Sequence, residues 1–158
     1  MCDLKYIILD VDGTLTDGGI YYDDNGNEIK KFSAKDGTGI VCARCAGIKI
    51  VVLTGRECRA TQRRMEELNV DFVFQKIGDK TKFLKNWMNS NDLKGDNVGY
   101  IGDDINDLAP MKLCSFIGCP LDACEEVKSI ANYVSDIKGG YGAVRDVIEY
   151  YLKKIGLW

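Results

Sequence analysis

The chain has 158 residues, of which 46% are hydrophobic and 28% charged, with a formal net charge of −3. That length and balance suit one soluble domain, 1–158, with a proper core, and they argue against a nucleic-acid partner. No apolar run approaches the roughly 18 residues that cross a bilayer. The opening MCDLKYIILDVDG has neither a basic leader nor a cleavage site, so a cytoplasmic protein is expected.

Histidine is absent, so acid/base work falls to carboxylates, Lys, Tyr or Cys. The seven cysteines are Cys2, Cys42, Cys45, Cys58, Cys114, Cys119 and Cys124. An odd number without a secretory leader predicts reduced thiols. Cys42 and Cys45 form one CxxC in a helical pattern, with no second CxxC to complete a zinc site.

In chain order, Tyr6 to Leu9 is an apolar, β-branched run that reads as a buried parallel strand. It leads directly into Asp10-Val11-Asp12-Gly13-Thr14. Two carboxylates this close raise each other's pKa unless a cation sits between them, and ligand crevices form at this end of parallel strands. A divalent-cation site with chemistry is therefore expected; two turn-capping aspartates are the plainer alternative. Gly19 to Tyr22 and Glu28 to Ser33 flank Asp23-Asp24-Asn25-Gly26, a hairpin signal. A helix is expected over Thr38 to Ala46, with Gly47 closing it.

Ile48 to Leu53 reads as the next buried strand, ending in Thr54-Gly55-Arg56. A helix over Arg59 to Leu68 and a strand over Asp71 to Phe74 follow. Gly78-Asp79-Lys80 opens a helix to about Asn89. The strand Val98 to Ile101 ends in Gly102-Asp103-Asp104-Ile105-Asn106-Asp107. Phe116-Ile117 and Tyr133-Val134 are short strands around a helix from Leu121 to Ile130. Gly139, Gly140 and Gly142 mark a joint before a last helix, whose Val144, Val147, Ile148, Tyr151, Leu152 and Ile155 form one packing stripe. Strands alternating with helices predict an α/β fold with a doubly wound parallel sheet, broken only by the protruding β-hairpin.

Four strand ends would then meet at one sheet edge, carrying Asp10 and Asp12, Thr54, Lys80, and Asp103 with Asp104 and Asp107. Phosphoryl transfer needs a nucleophile, a cation, a positive side chain and a proton donor, and each part is present. Mg²⁺ takes oxygen ligands and few carboxylates. Asp10, Asp103 and the Asp12 backbone carbonyl fit it, with Asp104 and Asp107 behind them.

These motifs, in this order, resemble the haloacid dehalogenase superfamily over nearly the whole chain. The resemblance implies that Asp10 is the nucleophile and Asp12 the general acid/base, and it matches Thr54 and Lys80 to the family's other catalytic positions. The gaps between motifs hold no cap domain. That, with the run TDGGIYYDDNGNEIKKF, is similar to the group of 3-deoxy-D-manno-octulosonate 8-phosphate phosphatases. The group implies a homotetramer built on the hairpins, with neighbouring subunits closing each site. It also implies substrate contacts at Ser33, Ala34, Lys35, Asp36, Gly37, Arg56 and Arg64. Two arginines suit an anionic sugar acid. Arg56 favours the eight-carbon acid, where nine-carbon enzymes carry Glu, while Val41 stands where some eight-carbon enzymes carry Arg. A nine-carbon 9-phosphate substrate stays open, as does an idle oligomerisation module of a sugar-acid cytidylyltransferase. A signalling receiver domain fits poorly, because its acceptor aspartate would follow the third strand.

Overall fold

The computed structural model describes residues 4–158. The strands of its main sheet are β1 (Tyr6–Leu9), β4 (Lys49–Leu53), β5 (Phe72–Phe74), β6 (Val98–Ile101), β7 (Phe116–Cys119) and β8 (Tyr133–Val134). Between β1 and β4 lie β2 (Tyr21–Tyr22), β3 (Glu28–Ile29) and α1 (Ala34–Cys45). The remaining helices are α2 (Arg59–Glu67), α3 (Lys80–Ser90), α4 (Ile105–Met111), α5 (Glu125–Ile130) and α6 (Ala143–Lys154).

The six strands run in the order β5-β4-β1-β6-β7-β8, every pair parallel. β1 is central, and Leu9 pairs with Val52 on one side and Ile101 on the other. The residues that follow β1, β4 and β6 therefore leave the sheet at one level. Alternate side chains feed two cores, as the strand pleat requires. Ile7, Leu9, Ile50 and Val52 pack with Ile40 of α1, Met65 of α2 and the Val144-Val147-Ile148-Tyr151-Leu152 stripe of α6. Ile8, Val51, Leu53 and Tyr100 pack with Leu84 of α3, Met111 of α4 and Val127 of α5. Burying each such aliphatic side chain contributes roughly 1.5–3 kcal/mol.

Three departures from the sequence expectation matter most. α1 starts at Ala34, not Thr38, because the Ser33 hydroxyl accepts the Lys35 N–H at 3.2 Å and caps the helix four residues early. Lys35, Asp36 and Gly37 are therefore helical. α5 starts at Glu125, not Leu121, since the chain from Pro120 first makes a turn with Ala123 N–H bonded to the Pro120 carbonyl at 3.1 Å. The hairpin ladder holds only Tyr21↔Ile29 and Tyr22↔Glu28, with a separate bridge at Thr16↔Phe32. A hairpin with no third strand has little to extend it. The six described cysteines are free; Cys2 lies outside the described residues. No described helix is long and apolar enough to cross a membrane.

Candidate active site

The centre of the site is built by the loop after β1. Asp10 donates its backbone N–H to Ile101 O at 3.0 Å, which extends the sheet by one residue and fixes its side chain at the C-terminal edge. The chain then turns tightly over Val11–Leu15, with Thr16 N–H bonded to Val11 O at 3.0 Å. Gly13 at φ +92° permits that turn. A Cβ there would lie 2.1 Å from Asp103 Oδ2, so only glycine lets the two loops meet.

Lys80, at the start of α3, places its ammonium 2.8 Å from Asp10 Oδ1 and 2.8 Å from Asp107 Oδ1. All three side chains are buried. Asp107 also accepts the Tyr100 hydroxyl at 2.8 Å and the Asp103 N–H at 3.2 Å. Asp103 Oδ1 accepts the Thr14 hydroxyl at 2.7 Å. Carboxylate oxygens of Asp10, Asp103 and Asp107 all lie within 4.8 Å of one another.

Three acids around one lysine are not neutral. Burial, reinforced by Asp107, pushes Asp10 up to about 7 against the pull of Lys80. Burial likewise pushes Asp103 up to about 7, opposed by the Thr14 hydroxyl. Burial pulls the Lys80 ammonium down, but Asp10 and Asp107 more than offset it, and its pKa is raised. A cluster that strains to stay ionised in this way is one a divalent cation would relieve. The oxygen-only donor set suits Mg²⁺.

Thr54 follows β4, buried, with its hydroxyl accepting the Arg56 N–H at 3.3 Å. Asp10, Asp12, Thr54, Gly55, Arg56, Asp104 and Asn106 line one open cavity of about 190 Å³. Asp104 caps α4 through the Ile105 N–H at 2.7 Å and is exposed.

The rest of the expected substrate set is not brought to this cavity. Arg64 lines a separate groove with Ala34, Gly37, Thr38, Val41 and Leu68, and pairs with Glu67 at 3.4 Å. Lys35 faces another groove beside Gly142 and Arg145. The Asp36 carboxylate is buried and accepts the Arg145 N–H at 3.0 Å, beside the amides of Gly142 and Val144, at the start of α6. Several groups escaped the sequence reading. Tyr100 braces Asp107 from within β6, and Lys30 of the hairpin reaches Asp12. Lys30 stands in a run of charges beside a turn, the usual signature of solvated surface.

Residues 7–77 match the family model of haloacid dehalogenase-like hydrolases. The 3-deoxy-D-manno-octulosonate 8-phosphate phosphatase of Escherichia coli K12 is 35% identical over 150 residues, which are 95% of this chain and 80% of that protein. The chain belongs to the haloacid dehalogenase-like hydrolases. Within that family, the Haemophilus influenzae phosphatase of the same name is 34% identical over 98% of this chain and 86% of its own. A crystal structure of the Moraxella catarrhalis phosphatase in complex with magnesium, phosphate and KDO superposes with a TM-score of 0.90 at 34% identity, over 95% of this chain and 86% of that one. The cobalt-bound Haemophilus influenzae enzyme gives 0.91 at 34% identity, over 98% and 91%. The hydrolase fold here is the α/β sheet without a cap: only the Val11–Leu15 turn, the hairpin and α1 separate β1 from β4, and only α2 and β5 separate β4 from α3.

Proposed function

We propose that this chain is a Mg²⁺-dependent phosphomonoesterase that hydrolyses 3-deoxy-D-manno-octulosonate 8-phosphate to the free sugar acid and phosphate. The buried cluster of Asp10, Asp103, Asp107 and Lys80 at the sheet edge carries that reading, and the named relatives supply the substrate. The carboxylate of Asp10 attacks phosphorus; a new P–O bond forms and the ester P–O bond breaks. Asp12 gives its proton to the departing sugar alkoxide. Water then attacks the aspartyl-phosphate, Asp12 takes the water's proton, and Asp10 is released with phosphate. Lys80 and the Thr54 hydroxyl hold the phosphoryl oxygens. Asp10, Asp103 and the Asp12 backbone carbonyl would hold Mg²⁺, with Asp107 and Asp104 supporting them, and the bound ion neutralises phosphoryl charge. Arg56 faces the sugar carboxylate from the cavity wall. An idle module has no use for a buried three-carboxylate cluster that costs free energy to maintain.

Ser33 to Gly37 and Arg64 stand outside the cavity of a single chain. The hairpin exposes Ile20, Tyr21, Tyr22 and Ile29, each by about half. Such a patch favours association, so the reading includes a cytoplasmic homotetramer in which these residues complete a neighbour's site.

Phosphate release from the eight-carbon 8-phosphate, a nine-carbon acid 9-phosphate and 4-nitrophenyl phosphate tests the substrate. The eight-carbon ester should give the highest kcat/KM, activity should vanish in excess chelator, and Asp10→Asn should be inactive yet folded. Turnover by folded Asp10→Asn would overturn the mechanism. Mixing inactive Asp10→Asn with Arg64→Ala should yield more activity than both alone; no gain, or a fully active monomer by light scattering, would defeat the shared site.

A further inference from the structure

The hairpin returns two charged side chains to the body of the molecule, and the steps above use neither. Lys30 follows β3, and its side chain is 1% exposed. Its ammonium bonds Asp12 Oδ1 and lies 2.9 Å from Glu28 Oε1. The other Glu28 oxygen accepts Arg56 Nη2 at 3.1 Å. Asp12, Lys30, Glu28 and Arg56 therefore form one row of alternating charge. Its two ends line the cavity and its two middle members do not. Among the described residues no other side chain hydrogen-bonds the Asp12 carboxylate. Removing an ammonium from water is costly unless carboxylates surround it, and here the two carboxylates fix its place.

We propose that Lys30 is a positioning residue for Asp12. Its ammonium holds the Asp12 side chain in the direction of the departing oxygen, and Glu28 holds both Lys30 and the guanidinium of Arg56. The proposal rests on Asp12 being the general acid. Its geometric content is that a freely turning Asp12, partly exposed at the cavity wall, would spend much of its time in rotamers aimed away from the ester. A fixed donor shortens that search, the usual gain from an ordered neighbouring shell. The base of the hairpin thus belongs to the reaction as well as to assembly.

The two kinds of ester separate positioning from simple anchorage. A sugar alkoxide must be protonated as it leaves, whereas 4-nitrophenolate leaves without a proton. Lys30→Met keeps the stem and deletes the charge. With it, kcat/KM for the sugar acid phosphate should fall at least about tenfold, part of the 10²–10⁴-fold worth of general acid catalysis. The loss on 4-nitrophenyl phosphate should stay under about threefold, judged against the same scale. Added to Asp12→Asn, Lys30→Met should cost little more, because its partner is already disabled. Equal losses on both esters, or full additivity with Asp12→Asn, would overturn the positioning role. Asp12→Asn run alongside distinguishes the failures. Discrimination by Asp12→Asn but not by Lys30→Met rejects positioning alone; none by either rejects the acid role and positioning with it. Should Lys30→Met fail to fold by circular dichroism, Glu28→Gln, which keeps the shape and removes one partner of Lys30, must show the same bias between esters.

Discussion

Two lysines in this molecule each sit between two carboxylates, and they do so under opposite charge balance. At the sheet edge, Lys80 serves Asp10 and Asp107 while Asp103 stands within 4.8 Å of both, so three acids share one ammonium. At the hairpin base, Lys30 serves Asp12 and Glu28, and Arg56 completes the row with a second cation. The outer row neutralises itself; the inner cluster is left with unbalanced negative charge in a low-dielectric setting. An imbalance held at that cost is what a site for a dication and a transferred phosphoryl group requires, whereas a balanced row serves to keep groups still. The difference between binding and bracing is thus visible in charge before any ligand is considered.

The comparison breaks hardest at Lys80. Lys80→Met leaves the inner acids with no cation, and unfolding by denaturant should show a loss of about 3–5 kcal/mol along with loss of phosphate release. A loss below about 1 kcal/mol, the scale of an exposed pair, would mean that the cluster is already balanced by solvent.

Asp36 sharpens the contrast, because it is a buried carboxylate facing amides, with no cation paired to it among the described residues. Burial, opposed by the amides of Arg145, Gly142 and Val144, pushes its pKa up to about 6 from an ordinary 3.8. The folded state therefore holds the proton more tightly than the unfolded one between these values. Stability from this group is greatest below pH 4, declines as pH rises towards 6 and is flat above. Asp36→Asn cannot titrate, so its stability relative to the parent should improve by up to about 3 kcal/mol between pH 4 and pH 8. Thermal unfolding at both ends of that range checks it; a constant difference would show that the amides, not burial, control Asp36.

The smallest effect is expected on the outer face of α2. Arg63 and Glu67 lie 3.2 Å apart in full view of water. Arg63→Ala should leave the unfolding midpoint within error, since solvent screens such pairs. A clear drop there would blur the line between buried and exposed charge on which the comparison depends.

Asp10, Asp12, Thr54, Lys80, Asp103 and Asp107 were legible in the sequence because each follows or faces the end of an apolar run. Parallel topology then leaves them one edge on which to meet. The same rule has no purchase on Lys30 and Glu28. Glu28 lies in a strand only two residues long and Lys30 just follows it, and only the fold shows that the hairpin leans back far enough to bury an ammonium. The start of α1 escapes the sequence for a different reason. Asp36-Gly37 looks like a helix start, but the Ser33 cap wins earlier and turns Asp36 inward beneath α6.

The joint before α6 has a consequence for how the protein is made. A Cβ on Gly139 would sit 1.8 Å from Gly13 O, and the Gly140 N–H bonds Thr14 O at 3.1 Å. The loop carrying Asp10 and Asp12 thus takes its final shape against residues about 125 positions later in the chain. A ribosome delivers Asp10 and Asp12 early and the glycines that brace their loop late. A nascent chain therefore cannot finish the loop after β1 until most of the protein has emerged, and on the proposed reading truncated translation products should release no phosphate.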